Sequence, residues 1–397
     1  MNVIVKKSRV KGEVKAIPSK SYAHRIAICN FLAGLDIDDG CLDFTSNDIE
    51  ATKRCLTALK NGEKTLDCGE SGSTLRFMLP LCACLGGDYE FIGHGKLMER
   101  PNEELFSVLS SRGVKCEKAD TIKISGKLSS GKFNIRGDIS SQYISGLLMA
   151  LPILDGDSVI ELTTELVSAP YVNITLEVLN AFGIRIDRVD NCFYVVGNQK
   201  YNGSMRAESD WSNVAFFLVL GAIAGEISVR DLNLDSAQGD KKIMDILTLA
   251  NAKIIKNHDG FTIKKSRLKA FTFNAEDCPD LVPIACVLAA CAKGETVITG
   301  VERLKLKESD RIESILKMLR GFNIDACSDG RQIKVKGGNP VGCCVESFND
   351  HRIVMSGAVL GAVAKGETEI YGAQAVNKSY PTFFDDYNKI GGKSNEV

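Results

Sequence analysis

The sequence predicts an α/β protein in which a unit of helix, strand, helix and strand pair is repeated six times. An apolar helical run that reaches a glycine and continues into a short β-rich run occurs six times in the 397 residues. The six glycines are separated by 53, 69, 69, 69 and 72 residues. A recurring period of this size is the signature of a repeat architecture. The chain length agrees with two domains or one large repetitive fold.

The first element of each copy is a helix that we expect to be buried, because its residues are apolar on nearly every face. The six runs are YAHRIAICNFLAGLDI, STLRFMLPLCACLGGDYEFIG, ISGLLMALPILDGDSVIEL, NVAFFLVLGAIAGEISVRDL, LVPIACVLAACAKGETVITGV and HRIVMSGAVLGAVAKGETEIYG. Their glycines are Gly34, Gly87, Gly156, Gly225, Gly294 and Gly366. We expect each glycine to be a left-handed C-terminal cap that leads directly into a strand.

The second helix of each copy is more polar, as in NDIEATKRCLTAL and SDRIESILKMLRGFN. Alternating segments such as RIDRVDNCFYVVG and IDACSDGRQIKVKG then predict a closing strand pair. The stretch 126–132 matches G-x-x-x-x-G-K, but Phe133 replaces the required Ser or Thr and the segment continues as a strand. A phosphate-binding loop is therefore not expected there.

Composition argues against several classes of protein and site. The net charge of -1 provides no global field to hold nucleic acid or an anionic membrane. The cysteines are spread through apolar runs and predict reduced core residues, and the four histidines lack metal-ligand spacing. No apolar run approaches the roughly 20 residues of a membrane span. We expect a cytoplasmic protein without metal or cofactor.

The segments that enter the buried helices contain residues that bind small anions. They are SKSYAHR (19–25), GESGSTLR (69–76), SSQYISG (140–146), DWSN (210–213), CPDLVP (278–283) and NDHR (349–352). Helix N-termini favour phosphate and carboxylate groups. The alternative is that their Ser, Asp and Asn residues are only N-caps. Arg25, Arg76 and Arg352 favour function, because an arginine in the first turn of a buried helix must be paired or bound to an anion.

Three further charged positions accompany these segments. Arg100 precedes a proline in MERP, Lys378 lies in NKSYP, and KLKESDR places Lys307, Glu308, Asp310 and Arg311 in one turn. A charge run of this kind is usually a solvated helix face, which is the alternative here. His24 and His351 are interpreted as scaffold residues rather than as bases.

The order of the motifs resembles one family. SKSYAHR, GESGSTLR, ERP, SSQ, LVSAPY, PDLVP, KESDR, NDHR and NKSYP follow the order and approximate spacing of the 3-phosphoshikimate 1-carboxyvinyltransferases, also called EPSP synthases. Each motif is weak alone, but nine in order make chance implausible. The resemblance covers essentially the whole chain.

The resemblance implies a two-domain, inside-out α/β barrel-like fold with buried helices and three repeats per domain. One domain would comprise residues 1–16 plus 207–397 and the other residues 17–206, with the active site in the cleft between them. The family transfers the enolpyruvyl group of phosphoenolpyruvate to the 5-hydroxyl of shikimate 3-phosphate and releases phosphate. It implies small-molecule substrates, no cofactor, no nucleic acid and no membrane. We expect a monomer.

The resemblance also implies the residues that act on each substrate. Shikimate 3-phosphate would be bound by Ser140, Ser141 and Ser168 at its phosphate and by Lys20, Ser21, Arg25, Gln142, Tyr171, Asp280 and Lys307 around its ring. Phosphoenolpyruvate would be bound by Lys20, Gly72, Arg76, Arg100, Gln142, Arg311, Arg352 and Lys378. Asp280 would take the hydroxyl proton, and Glu308, helped by Lys20 or Lys378, would deliver a proton to the methylene carbon. The division between these four groups stays open.

Two positions depart from the family pattern. Glu70 stands where many members have Asn and would repel phosphate unless it is paired, and Arg303 stands at a position that is often Asn.

Three alternative assignments predict other residues. An enolpyruvyltransferase acting on a UDP-amino sugar would have Lys-Asn in place of Lys20-Ser21 and a loop cysteine near Arg100. An RNA 3′-phosphate cyclase relative would need a nucleotide-attached histidine and a basic face. A non-catalytic anion-binding protein of the same fold would lose Asp280, Glu308 or Lys378.

Overall fold

The computed structural model describes residues 1–40 and 45–397 as a mixed α/β protein. Contacts divide this part of the chain into two compact units. Unit 1 contains Met1–Ile17 and Glu208–Val397, and unit 2 contains Pro18–Ala207. The chain therefore begins in unit 1, forms all of unit 2, and returns to unit 1.

The described residues form helices and strands that are interspersed along the chain. The helices are α1 Lys20–Ala33, α2 Asn47–Lys60, α3 Gly72–Leu85, α4 Glu103–Ser110, α5 Ser141–Ala150, α6 Ala169–Ala181, α7 Trp211–Ala224, α8 Ile243–Leu249, α9 Val282–Ala290, α10 Arg311–Gly321, α11 His351–Gly361 and α12 Phe383–Lys389. The strands are β1 Asn2–Lys6, β2 Lys11–Lys15, β3 Thr65–Asp67, β4 Tyr89–Ile92, β5 Val114–Lys118, β6 Ile122–Gly126, β7 Lys132–Ile135, β8 Ser158–Leu162, β9 Ile186–Val189, β10 Cys192–Val195, β11 Glu226–Arg230, β12 Lys253–Lys256, β13 Phe261–Lys264, β14 Thr272–Asn274, β15 Glu295–Thr299, β16 Asp325–Ser328, β17 Gln332–Lys336, β18 Cys344–Glu346, β19 Thr368–Tyr371 and β20 Lys393–Glu396.

The strands form four-stranded sheets of one recurring design. Unit 2 contains the sheets β3-β4-β6-β5 and β7-β8-β10-β9, and unit 1 contains β12-β13-β11-β2, β14-β15-β17-β16 and β18-β19-β1-β20. In the second of these, β7 and β8 are parallel and β8 and β10 antiparallel, which aligns Phe133, Ile160 and Phe193. All three side chains are fully buried. One face of the sheet thus joins the core, as alternation along a half-buried strand requires.

The first helix of each copy is buried, as its apolar composition predicts. All 14 residues of α7 are buried, and α9 and α11 are buried along their whole length. These three helices pack against one another within unit 1. In unit 2, α1, α3 and α5 are buried along most of their length. Burying apolar side chains stabilises a fold by about 25 cal/mol per Å² removed from water.

The prediction of six equal copies is wrong for the first copy. After α1, the described residues place no strand before α2, and no strand pair lies between α2 and β3. This explains why the first two turn glycines are only 53 residues apart while the next are separated by 69. Unit 2 accordingly has one sheet fewer than unit 1 among the described residues. Residues 41–44 lie outside the described part.

The glycines that follow the buried helices do not share one conformation, so the expectation of six left-handed caps is also wrong. Gly34 directly caps α1 with φ 71°, as expected. Gly225 caps α7 in an extended conformation with φ 178°. Glycine is required there by close packing, because an added Cβ would lie 1.8 Å from the carbonyl oxygen of Val10. Gly156 is not in the left-handed region either, and it follows a 3-10 turn after α5.

No helix in the described ranges is long and apolar enough to cross a lipid bilayer. Within the same ranges, no group of three or more His, Cys, Asp or Glu side chains is arranged to hold a metal ion. The cysteines described there are all free thiols. Burial raises the pKa of the Cys82 thiol well above its ordinary value and disfavours the reactive thiolate.

Candidate functional site

The densest cluster of charge in unit 1 is built around one buried arginine. Arg311 is the first residue of α10, and only 1% of its side chain is exposed. Its Nε donates to Asp350 Oδ2 at 2.7 Å, its Nη1 to Asp280 Oδ1 at 2.8 Å, and its Nη2 to Glu308 Oε2 at 2.5 Å. These carboxylates hold the pKa of Arg311 well above its ordinary value despite the opposing effect of burial.

The termini of three elements bring these groups together. Asp350 is the N-cap of α11 and accepts a hydrogen bond from the backbone N–H of Arg352 at 3.0 Å. Asp280 lies in a 3-10 turn at Pro279–Leu281 that runs into α9. The segment KLKESDR does not form one helical turn as expected, because a 3-10 helix ends at Leu306 and Asp310 is the N-cap of α10. Helix beginnings therefore position the cluster.

Asp280 contacts two further cations. Arg352 Nη2 donates to Asp280 Oδ2 at 3.0 Å, and Lys307 Nζ lies 3.3 Å from Asp280 Oδ1. Burial alone would raise the pKa of Asp280, but Arg352, Lys307 and Arg311 together hold it well below its ordinary value. Burial lowers the pKa of Lys307. The ionised Asp280 thus stabilises the fold above about pH 4, and this contribution is lost as the pH falls through the lower folded-state pKa.

Lys378 is held close to the same helix beginning. It is the last residue of a 3-10 helix at Ala373–Lys378, and its Nζ donates to the carbonyl oxygen of Asn349 at 2.8 Å. Phe348 and Asn349 both have left-handed backbone conformations, with φ 52° and 56°. Such strain at non-glycine residues is often found at functional sites. The left-handed conformation of Asn349 directs its carbonyl oxygen toward Lys378 Nζ.

In unit 2, a second cluster joins α3 to α5. Arg76 Nη1 donates to Gln142 Oε1 at 2.7 Å, and Gln142 Nε2 donates to Ser73 Oγ at 2.8 Å. Arg100 lies against the start of α3, since a Cβ added to Gly72 would be 2.4 Å from its Nη1. Four of the residues expected to bind phosphoenolpyruvate, Gly72, Arg76, Arg100 and Gln142, are thus neighbours in or beside α3 and α5.

Arg25 is engaged by protein groups on every nitrogen of its guanidinium. Its Nε donates to Thr175 Oγ1 at 2.7 Å, its Nη1 to the carbonyl of Ser21, and its Nη2 to Ser145 Oγ and the carbonyl of Tyr171. Burial lowers its pKa to about 10. Arg25 therefore ties α1 to α5 and α6, and its contact with substrate stays a prediction.

The remaining serines expected at the phosphate stand at helix beginnings, as predicted. Ser140 is the N-cap of α5, and its hydroxyl accepts a hydrogen bond from the backbone N–H of Gln142 at 3.3 Å. Ser141 is the first residue of that helix. Ser168 is the N-cap of α6, has φ 55°, and is fully buried. Both helix N-termini carry the partial positive charge that favours an anion.

Lys20 begins α1 and pairs with Asp48 at 2.8 Å. His24, one turn later, lies 2.7 Å from Thr52 Oγ1, which in turn lies 2.7 Å from Thr74 Oγ1. Burial, and then the neighbouring Lys20 and Arg25, lower the pKa of His24 well below its ordinary value. The neutral, hydrogen-bonded ring agrees with its interpretation as a scaffold residue.

Sequence reasoning missed Asp350 and Asp48, which position Arg311 and Lys20. The signal for Asp350 was present in NDHR, because an acidic residue before a helical arginine predicts an N-cap. Asp48 had no distinctive signal, since it starts an ordinary polar helix. Of the two departures, Glu70 places its carboxylate beside Gly95, 2.9 Å from the position of an added Cβ. Arg303 lies in the 3-10 helix before Lys307.

Replacing Arg311 with Met should lower the free energy of unfolding by about 3 to 5 kcal/mol, because the fully buried Asp350 would lose its cation. The loss should shrink at acid pH as the carboxylates become protonated. Urea denaturation at pH 8 and pH 5 measures both effects. Arg331→Met, at an exposed position of unit 1, is the control. A loss for Arg311→Met no larger than that of the control would show that the cluster contributes nothing to stability.

Comparison with known proteins identifies relatives of this chain. The model of the family "EPSP synthase (3-phosphoshikimate 1-carboxyvinyltransferase)" matches residues 41–387. A 3-phosphoshikimate 1-carboxyvinyltransferase from Clostridium novyi is 37% identical, with 98% of both chains covered, and one from Clostridium kluyveri is 38% identical, covering 99% of this chain and 98% of the relative.

Two solved structures share the fold of the chain. An EPSP synthase from Acinetobacter baumannii has a TM-score of 0.80 at 24% identity over all of both chains. The enolpyruvyl transferase NikO from Streptomyces tendae has a TM-score of 0.78 at 14% identity, covering 100% of this chain and 98% of that one. With the family match over residues 41–387 and the full-length relatives, they lead to one conclusion: this chain belongs to the EPSP synthase family.

Proposed function

We propose that the protein transfers the enolpyruvyl group of phosphoenolpyruvate to the 5-hydroxyl of shikimate 3-phosphate, releasing phosphate. The observation that carries the proposal is the pair of carboxylates on one guanidinium. Arg311 Nη1 holds Asp280 and Arg311 Nη2 holds Glu308, so two carboxylates in different surroundings are fixed side by side. Addition and elimination need two such groups, one to remove a proton and one to deliver one.

The finer architecture belongs to the same proposal. Each unit is an inside-out α/β arrangement in which sheets surround buried helices, and the two units are the two domains of the enzyme. The burial of α7, α9 and α11 and the recurring four-stranded sheets support it. The protein acts as a cytoplasmic monomer and needs no cofactor.

Shikimate 3-phosphate is recognised by helix beginnings and hydroxyl groups. Its phosphate accepts hydrogen bonds from Ser140, Ser141 and Ser168, at the N-termini of α5 and α6. The groups assigned to its ring are Lys20, Ser21, Arg25, Gln142, Tyr171, Asp280 and Lys307. Asp280 is the group that faces the reacting hydroxyl.

Phosphoenolpyruvate is recognised by cations and one glycine. The groups are Lys20, Gly72, Arg76, Arg100, Gln142, Arg311, Arg352 and Lys378. Guanidinium groups pair with phosphate and carboxylate through two hydrogen bonds, which accounts for the arginines. A Cβ on Gly72 would lie 2.4 Å from Arg100 Nη1, so a side chain at this position would displace the Arg100 guanidinium. Arg311 already donates hydrogen bonds to three carboxylates. Its main effect on the substrate is therefore to hold these carboxylates in place.

The reaction moves protons in both the addition and the elimination. Asp280 accepts the proton of the 5-hydroxyl as the hydroxyl oxygen bonds to C2 of phosphoenolpyruvate, and Glu308, with Lys20 or Lys378, delivers a proton to the methylene carbon. In the elimination, the proton from that carbon returns to the group that delivered it as the C2–O bond to phosphate breaks, and the leaving phosphate takes the proton held by Asp280. No electron is gained or lost overall. The products are 5-enolpyruvylshikimate 3-phosphate and phosphate.

A phosphate-release assay tests the proposed function. Phosphate should appear only when shikimate 3-phosphate and phosphoenolpyruvate are both present. The product should carry the enolpyruvyl group, as mass spectrometry of the reaction mixture can show. Turnover with a UDP-amino sugar in place of shikimate 3-phosphate, or no turnover with either acceptor, would overturn it.

Lys20→Met should weaken the binding of both substrates, because this lysine is assigned to both. The lost charge-assisted hydrogen bond is worth about 1.5 to 3 kcal/mol, or roughly 10- to 150-fold in affinity. Isothermal titration calorimetry with shikimate 3-phosphate and steady-state KM for phosphoenolpyruvate measure it. Lys60→Met, at the exposed end of α2, is the control. Unchanged affinities and an unchanged rate would show that Lys20 forms its ion pair with Asp48 but does not bind either substrate.

A further inference from the structure

We propose that Thr52 is a positioning residue for phosphoenolpyruvate: its hydroxyl links α1 to α3 and so fixes Lys20 relative to Gly72. The inference rests on the proposed function, because Lys20 and Gly72 are groups assigned to this substrate. Thr52 lies in α2, which packs against both α1 and α3. None of the nine motifs that resemble the family lies in α2, and no residue of α2 is assigned to a substrate.

A buried chain of hydrogen bonds crosses these three helices through Thr52. His24 Nδ1 lies 2.7 Å from Thr52 Oγ1, and Thr52 Oγ1 lies 2.7 Å from Thr74 Oγ1. Thr74 continues the chain to the hydroxyl of Ser71, the N-cap of α3, at 2.8 Å. Both threonines are fully buried, and His24 and Ser71 are each 1% exposed. In such a buried network the members depend on one another, because a group left without its partner cannot turn to water instead.

The hydrogens of the chain point from α1 toward α3. Thr74 donates its one hydroxyl hydrogen toward Ser71 Oγ and the carbonyl oxygen of Asp48, at 2.8 and 3.3 Å. Its oxygen therefore accepts from Thr52, and Thr52 in turn accepts from the Nδ1–H of His24. The other ring nitrogen, Nε2, has no hydrogen-bond partner among the described residues. Among the same residues, Thr52 thus provides the only hydrogen bond to the buried ring.

An ion pair joins α1 and α2 one helical turn earlier. Lys20 Nζ lies 2.8 Å from Asp48 Oδ2, and the two side chains are only 16% and 13% exposed. Lys20 precedes His24 by four residues, and Asp48 precedes Thr52 by four. Residues four apart lie on one face of a helix, so the ion pair and the His24–Thr52 hydrogen bond are parallel links between the same two faces. The second link therefore fixes the rotation of α1 from which Lys20 extends.

The link to α3 acts on the groups at the other end of the chain. Thr74 follows Gly72 by two residues, and its backbone N–H donates to the capping hydroxyl of Ser71 at 3.2 Å. Thr74 therefore bonds the first turn of α3 to α2 through its side chain and to the N-cap through its backbone. Arg76 follows two residues later in the same helix. A shift at Thr74 would displace both Gly72 and Arg76, which are assigned to phosphoenolpyruvate.

The two substrates should respond differently to a break in the chain. Phosphoenolpyruvate is assigned to groups on both sides of α2, namely Lys20 on α1 and Gly72 and Arg76 on α3. Shikimate 3-phosphate shares Lys20, but its phosphate is assigned to the beginnings of α5 and α6. The chain includes no residue of these two helices. Loss of the Thr52 hydroxyl should therefore weaken the binding of phosphoenolpyruvate more than that of shikimate 3-phosphate.

Thr52→Val tests the inference, because valine keeps the shape of threonine and removes only its hydroxyl. KM for phosphoenolpyruvate should rise about 5- to 10-fold, whereas the calorimetric Kd for shikimate 3-phosphate should change by less than about 2-fold. Thr52→Ser restores the hydroxyl and should return KM to near the wild-type value. Thr57→Val, at an exposed position of the same helix, is the matched control.

The kinetic split distinguishes positioning from a loss of stability. A variant that is only less stable would lose active enzyme, which lowers the apparent kcat and leaves KM in place. A wild-type KM in Thr52→Val, an equal loss of affinity for both substrates, or a failure of Thr52→Ser to restore KM would overturn the inference.

NMR of the histidine ring nitrogens tests the chain without turnover. The protein has four histidines, and the signals of His24 are those absent from His24→Asn. Burial, and then Lys20 and Arg25, hold the pKa of His24 well below its ordinary value. The ring should therefore be neutral between about pH 6 and pH 8, with its hydrogen on Nδ1. In Thr52→Val the Nδ1–H signal should shift or disappear, because the ring has lost its acceptor.

These spectra separate the inference from the proposed function. A wild-type His24 with its hydrogen on Nε2, or an Nδ1–H signal unchanged in Thr52→Val, would overturn the chain even if the enzyme turned over both substrates. A wild type that shows the expected spectra but does not turn over shikimate 3-phosphate and phosphoenolpyruvate would defeat the proposed function instead.

Discussion

Asp280→Asn should lower kcat by about 10²- to 10⁴-fold, the usual contribution of a general base. Asparagine keeps the shape of the side chain and its hydrogen-bonding oxygen, but it cannot accept the hydroxyl proton. The affinity for shikimate 3-phosphate should be nearly unchanged, because its phosphate is assigned to Ser140, Ser141 and Ser168 in unit 2. Single-turnover kinetics and calorimetric titration measure the two effects separately.

The controls for this variant address charge and folding. Asp325→Asn removes one exposed carboxylate from β16 of the same unit and should leave kcat unaltered. Circular dichroism should show that Asp280→Asn is folded, although Arg311, Arg352 and Lys307 lose a shared carboxylate. If the folded variant turned over at the wild-type rate, Asp280 could not be the base.

Glu308→Gln should also lower kcat by about 10²- to 10⁴-fold, because glutamine cannot deliver a proton to the methylene carbon. Glu308 is anchored by Arg311 at 2.5 Å and is assigned to the methylene carbon of phosphoenolpyruvate. In deuterium oxide, the wild type should exchange solvent deuterium into this methylene group as the addition step reverses. The variant should exchange at a rate reduced in proportion to its turnover.

Mass spectrometry of recovered phosphoenolpyruvate measures that exchange, and Glu302→Gln, exposed at the start of the preceding 3-10 helix, is the control. Glu308→Gln with exchange and turnover at wild-type rates would transfer the role of proton donor to Lys20 or Lys378. Lys20→Met and Lys378→Met in the same exchange experiment would then decide between these two.

Much of the fold could be predicted because its cause is local. The run WSNVAFFLVLGAIA has no polar face, so burial of α7 on all sides is the arrangement that removes it from water. The incomplete first copy was visible in the sequence only as a shorter glycine spacing, and among the described residues no strand pair follows α2. Glycine is required at position 225 because the backbone of Val10 packs against it. Val10 is far away in the sequence, so a local sequence pattern does not reveal this contact.

The candidate site was harder to predict, because its contacts also join residues that are far apart in the sequence. The arginines could be found because a cation at a buried helix beginning needs a partner, but the identity of the partner depends on packing. Arg25 donates hydrogen bonds to Thr175 and Ser145, and Arg311 donates one to Asp350. These three acceptors lie in, or cap, three different helices, α6, α5 and α11.

The placement of the first strand has a consequence for biosynthesis. β1, residues 2–6, lies between β19 and β20 and pairs with both, and β20 ends at Glu396. Unit 2 is continuous in the chain, so it can fold while later residues are still being translated. β1 must instead wait with both edges unpaired until β19 and β20 have been synthesised, and an unpaired strand is a site for aggregation. The sheet that contains β1 is therefore completed only after residues 368–396 have been synthesised, whereas unit 2 needs none of them.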